Sequence, residues 1–153
     1  PELMMGGRIV QKAIDVLIPH LKSEDEVKVP GKVAMATIEG DVHSIGKTIV
    51  ATMLAAYGYK VYDLGADVPV DKIIDEAVKN NVDIIGISAL LTTTMVGQKK
   101  VIDRLKEKGL RDKFKVIIGG APVNQDWAEN CGADGYSENA IDAIKLVKGI
   151  MKN

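Results

Sequence analysis

Cysteine is nearly absent from this chain, and Cys131 alone cannot form an internal disulfide. A lone thiol suits a reducing compartment, so the cytoplasm is the expected location. No histidine or basic cluster adjoins Cys131 in sequence, which makes it a half-buried structural residue rather than a reactive one. Histidine is almost as scarce, with two in 153 residues. Ordinary transition-metal sites take three or four protein ligands, so a metal bound here must bring most of its coordination shell with it. Charge of one sign is not in excess either: 20 basic residues face 21 acidic ones, with no basic block. That argues against nucleic acid as a partner, because phosphate binding relies on clustered positive charge. The apolar runs are far shorter than the ~20 residues needed to span a bilayer, so no membrane-spanning helix is expected.

What the chain does have is apolar residues, 46% of the total, enough for one packed domain and a short appendage. Ile9, Val10, Ala13, Ile14, Leu17 and Leu21 recur at three- and four-residue steps and predict a helix over Gly7–Leu21. His20 lies at its end, where a solvated or helix-dipole role is expected. The charged stretch Lys22–Pro30 closes on Pro30-Gly31 and reads as a linker. Beyond it, strands are expected at Lys32–Ile38, Lys60–Leu64, Ile84–Ser88, Val116–Gly119 and Gly135-Tyr136. They alternate with helices at Ile45–Tyr57, Val70–Asn80, Met95–Lys108, Gln125–Cys131 and Asn139–Met151. The first four strands are short, near-continuous apolar runs, as in strands buried on both faces of a parallel sheet. Five such units predict an α/β, doubly wound, five-stranded parallel sheet of flavodoxin-like order 2-1-3-4-5. Its switch point lies between the first and third strands, where the loops Glu39–Ser44 and Ala89–Thr94 meet.

The first of those loops carries His43, within the run Asp41-Val42-His43-Ser44-Ile45-Gly46 that leads into the next helix. A carboxylate two residues before an imidazole is a device for fixing the tautomer and orientation of a metal-binding histidine. Gly46 lets a bulky group approach the backbone at the start of the helix. One histidine suffices as a ligand where a macrocycle supplies the rest of the shell. The second loop offers the hydroxyls of Ser88, Thr92 and Thr94, and one of Thr92-Thr93-Thr94 is expected to cap the helix beginning near Met95. Gly119-Gly120 at the carboxyl edge leaves an open slot into which a flat group could slide. Three competitors fail at particular residues. A phosphate loop needs four residues between its glycines, and five separate Gly40 from Gly46. A phosphoacceptor domain would end its third strand in aspartate, where this chain has Ser88. A flavin binder would place aromatic residues in the switch-point loops, and Ala89–Thr94 has none; Trp127 falls inside a helix as a core residue.

Taken in order, Asp41-Val42-His43-Ser44-Ile45-Gly46, Ser88-Ala89-Leu90 and Gly119-Gly120 resemble the cobalamin-binding domain shared by methionine synthase, base-off mutases and methyltransferase corrinoid proteins. The likeness runs from Gly31 to about Met151. The resemblance implies a cobalamin or related cobamide cofactor with His43 as lower axial ligand of cobalt, in place of the corrinoid's own base. Asp41 would accept the other imidazole N–H, and Thr94, standing where the family often has a serine, would complete a His–Asp–hydroxyl relay. Val42, Ser44 and Ile45 would contact the ring. The displaced nucleotide tail would run between the first and third strands, with Ser88, Leu90 and Thr92 along one wall. Gly119, Gly120, Gly135, Tyr136, Ser137 and Glu138 would lie near its far end. Residues 1–25 resemble the last helix of a helical cap whose earlier helices are missing, followed by a linker at 26–31 and the corrinoid domain at 32–153. That first segment is then expected to be disordered or to dock on another copy of the chain. The function so implied is a methyl carrier between two methyltransferase partners, rather than a complete enzyme. The alternatives are the cobalamin module of an adenosylcobalamin mutase or of a cobalamin-sensing regulator, and, from another class, nucleotide hydrolysis.

Overall fold

The computed structural model describes residues 29–152. The helix expected over Gly7–Leu21, His20 and the linker up to residue 28 lie outside the described residues. Five strands form one sheet: β1 (Lys32–Thr37), β2 (Lys60–Asp63), β3 (Ile84–Ser88), β4 (Lys115–Gly119) and β5 (Gly135–Tyr136). Every pairing is parallel and the order is β2-β1-β3-β4-β5, so the switch point falls between β1 and β3 as the element pattern predicts. Five α-helices connect and cover them: α1 (Ile45–Ala56), α2 (Val70–Lys79), α3 (Thr92–Glu107), α4 (Gln125–Cys131) and α5 (Ala140–Lys152). A single 3₁₀ turn at Arg111–Lys113, which the apolar pattern does not announce, precedes β4.

Alternation along the strands divides the apolar side chains between two cores. Val33 and Met35 of β1 join Ile84 and Ile117 under α1 and α5, where Leu54, Ile144 and Val147 close the layer. Ala34, Ala36, Ile85, Val116 and Ile118 face the other way. There they meet Ile73 and Ile74 of α2, Val101, Ile102 and Leu105 of α3, and Ala128 and Cys131 of α4. Both faces of the central strands are thus covered, and their burial is nearly continuous. Cys131 is fully buried rather than half-buried.

One helix start departs from expectation. α3 begins at Thr92, ahead of the predicted Met95, and its N-cap is Leu91, with no side-chain cap. None of the three threonines caps, because all of them stand inside the first turn. The Thr94 hydroxyl is instead committed to Asp41 Oδ2 at 2.7 Å and to the Leu91 carbonyl at 3.1 Å. At its second turn α3 presses closely on the sheet, where a Cβ on Gly97 would run into Ile38.

Candidate functional site

The end of β1 sets the position of the histidine loop. Ile38 makes a last bridge to Val68, and the chain turns through Gly40 into Asp41. Two residues outside the motif hold the turn. The buried Thr37 hydroxyl donates to the His43 carbonyl at 3.1 Å. Asp67 has φ of 53°, the left-handed region that aspartate tolerates better than most side chains. It accepts the Gly40 N–H at 2.7 Å and donates its own N–H to the Asp41 carbonyl at 2.9 Å.

Asp41 is fully buried and accepts four hydrogen bonds. Oδ1 takes the His43 N–H at 3.0 Å and His43 Nδ1 at 2.8 Å; Oδ2 takes the Leu90 N–H and the Thr94 hydroxyl, each at 2.7 Å. Burial pushes its pKa up, but the bonds from Thr94, Leu90 and His43 outweigh that and hold the carboxyl well below the usual aspartate range. An ionised carboxylate can only accept, so the ring nitrogen facing it, Nδ1, carries a proton, and Nε2 points away from the carboxylate. The imidazole is 48% exposed, while its carboxylate partner is not exposed at all. The ring is therefore fixed from beneath and open above.

His43 stands at the mouth of a groove of about 630 Å³. Val42, Ser44, Ile45, Gly46, Ser88 and Leu90 line it near the switch point, and Gly119, Gly120, Tyr136, Ser137 and Glu138 line it further along. Asp41 and Thr94 stand behind the histidine rather than in the groove. Thr92 and Gly135 do not line it, since Thr92 sits in the exposed first turn of α3. Among the residues that sequence reasoning did not single out, Met35, Gly86 and Ile117 form the floor, from three adjacent strands. Lys47 also lines the groove, yet its ammonium is buried in an ion pair with Asp63 at the end of β2. A lysine inside an apolar helical pattern is the one signal that could have drawn attention to it.

The same contacts weigh against a phosphate loop. The Gly40 N–H is taken by Asp67 and the Lys47 ammonium by Asp63, so neither is directed at a phosphate. Among the described residues no group of three or more His, Cys, Asp or Glu side chains could hold a metal ion, and no helix is long and apolar enough to cross a membrane.

The residues do fit a flat macrocycle with a tail. A Cβ on Gly46 would meet no protein atom within 4 Å, so nothing in the fold itself requires a glycine there. Val42 and Ile45 are 71% and 74% exposed on either side of the imidazole, an apolar surface that a ring would cover. The groove beyond them reaches down to the strands, giving a tail an apolar channel.

A protein-family model described as the B12 binding domain matches residues 31–145. The chain is 44% identical over 151 residues to dimethylamine corrinoid protein 2 of Methanosarcina acetivorans, covering 99% of this chain and 70% of that protein. A crystal structure of a cobalamin-binding protein from Desulfitobacterium hafniense superposes with a TM-score of 0.80 at 42% identity, over 97% of this chain and 69% of that one. The methanol:cobalamin methyltransferase complex of Methanosarcina barkeri contains a chain matching at TM-score 0.77 and 39% identity, over 88% of this chain and 51% of that one. With Asp41, His43 and Gly46 at the switch point beside the groove, the chain belongs to the B12-binding domain family, as the cobalamin-binding domain of a methyltransferase corrinoid protein.

Proposed function

We propose that this chain carries a methyl group on a corrinoid between two methyltransferase partners, with His43 as the lower axial ligand. The observation that carries the proposal is the 2.8 Å bond from His43 Nδ1 to a buried carboxylate at the mouth of the groove. When bound, the corrinoid supplies the cobalt centre that accepts and releases the methyl group. The chain supplies the surroundings. Asp41 holds the imidazole in the Nδ1–H tautomer, so that Nε2 is the nitrogen offered to a metal. Leu90 and Thr94 occupy Oδ2 and hold the carboxylate in place against the ring. Val42, Ser44, Ile45 and Gly46 form the bed for the ring, and Ser88, Leu90, Gly119 and Gly120 the walls for the nucleotide tail.

Relatives support the carrier role and its partners. One is a dimethylamine corrinoid protein, and another belongs to a methanol:cobalamin methyltransferase complex. The deciding experiment labels histidine with nitrogen-15 and records electron paramagnetic resonance of the cobalt(II) protein. Labelling is expected to change the nitrogen superhyperfine splitting, and His43→Ala to remove protein nitrogen from the spectrum while the protein still folds. An unlabelled-like spectrum from the labelled protein would refute ligation by His43.

A further inference from the structure

α3 presents a second polar side chain to the sheet one turn beyond Thr94. Gln98 is fully buried, and all its conventional hydrogen-bonding groups are used. Its amide nitrogen donates to the Ile87 carbonyl of β3 and the Gly119 carbonyl of β4, both at 3.0 Å. Its amide oxygen accepts the indole N–H of Trp127, the chain's only tryptophan, at 2.9 Å. Two carbonyls that can only accept and an indole that can only donate leave the amide one orientation.

The position is specific to the corrinoid site. Ser88 and Gly119 form the last paired residues of β3 and β4, and Gly120 packs its backbone so closely on Ala89 that a Cβ would fall on the Ala89 carbonyl. Ser88, Gly119 and Gly120 face the groove in front of the sheet, while Gln98 ties the same two strand ends together from the α3 side. Residues four apart on a helix share a face. One face of α3 thus reaches the carboxylate beneath His43 through Thr94 and the walls of the groove through Gln98.

We propose that Gln98, held by Trp127, is a positioning residue for the nucleotide tail, setting the spacing of the β3 and β4 ends against which the tail lies. The inference rests on the corrinoid reading above and adds to it a residue that touches neither ring nor cobalt. Gln98→Met keeps the length and bulk of the side chain but removes the amide, and Trp127→Phe removes the donor that orients it together with one ring of the indole.

The test compares binding of cobalamin with that of cobinamide, which lacks the tail, by equilibrium dialysis against the apo chain and both variants. Thermal unfolding is recorded alongside to confirm that each variant is folded. Wild type is expected to prefer cobalamin. Gln98→Met should lower that preference about tenfold, by weakening cobalamin and leaving cobinamide unchanged, and Trp127→Phe should act in the same direction more weakly. An equal loss for both corrinoids, or an unchanged preference in folded Gln98→Met, would overturn the role of Gln98 and leave the corrinoid site standing. A wild type that binds both alike would overturn the tail groove itself, and with it this proposal.

Discussion

Thr94 and Asp41 lie 53 residues apart in sequence, and the Thr94 hydroxyl donates to Asp41 Oδ2 at 2.7 Å. Through this bond α3 braces the carboxylate that orients the histidine on the far side of the switch point. The brace is a hydroxyl, whose donor can rotate to suit the carboxylate, and it completes the set of four bonds that keeps a buried charge tolerable.

Removing the brace gives the first expectation. Thr94→Ala leaves Asp41 Oδ2 one donor short in a buried site and should cost about 1–3 kcal/mol. Thr94→Ser restores the hydroxyl and should recover most of that loss. Urea denaturation of the three apo proteins at neutral pH measures it. If Ala and Ser variants are equally destabilised, the methyl group matters rather than the bond.

Asp41→Asn probes the same network by pH. The carboxyl of Asp41 titrates well below its ordinary value in the folded chain, because its four hydrogen bonds outweigh the opposing effect of burial. A lowered folded pKa means that this stabilisation is complete above the unfolded aspartate value of ~3.9 and is lost as pH falls below it. The stability gap between wild type and Asp41→Asn should therefore shrink by about 1 kcal/mol between pH 6 and pH 3. At neutral pH the variant should bind corrinoid ~10–100-fold more weakly. A gap that stays constant across this range would mean that Asp41 is not the group responsible.

The Lys47–Asp63 pair predicts an asymmetry. Lys47 is 2% exposed by side chain and Asp63 39%. Asp63→Ala strands a buried ammonium and also takes the acceptor from the Gly65 N–H, and should cost about 2 kcal/mol. Lys47→Met leaves a carboxylate that water can reach, in a position whose stem is already apolar, and should cost less than about 1 kcal/mol. Thermal or urea unfolding of the two variants decides it, and the reverse order would show that the pair is not held as described.

Cys131 offers a check on the core beneath α3. Burial pushes its thiol up to about 11, with Asp103 adding to the rise and Lys99 opposing it. The thiolate is the reactive form, so iodoacetamide at pH 8 should leave the folded protein unmodified and label it fully in urea. Rapid labelling of the native protein, followed by mass spectrometry, would contradict the packing of α4 on the sheet.

Much of this protein could be read before folding was considered. The short apolar runs of β1, β3 and β4 announced a parallel sheet, because only burial on both faces removes the need for polar alternation. Asp41, His43 and Gly46 were legible because they lie within six residues, on one loop and the start of α1, where spacing along the chain is spacing in space. The start of α3 departs from expectation for a related reason: a run of threonines signals a cap, whereas all three stand inside the first turn and Thr94 bonds to Asp41.

Sequence alone determined the layers, the strand order and the carboxylate–imidazole spacing at His43, since these follow from local periodicity and short-range spacing. Tertiary structure decided which distant groups serve that chemistry. Thr37 and Asp67 hold the loop, the Leu90 N–H joins Thr94 on the carboxylate, Met35, Gly86 and Ile117 form the groove floor, and Gln98 spans two strand ends. Each of these roles depends on which elements the parallel crossovers bring side by side. A polar side chain on a helix or at a strand end looks the same in sequence whether it faces water or a buried carbonyl, and only the packed sheet tells the two apart.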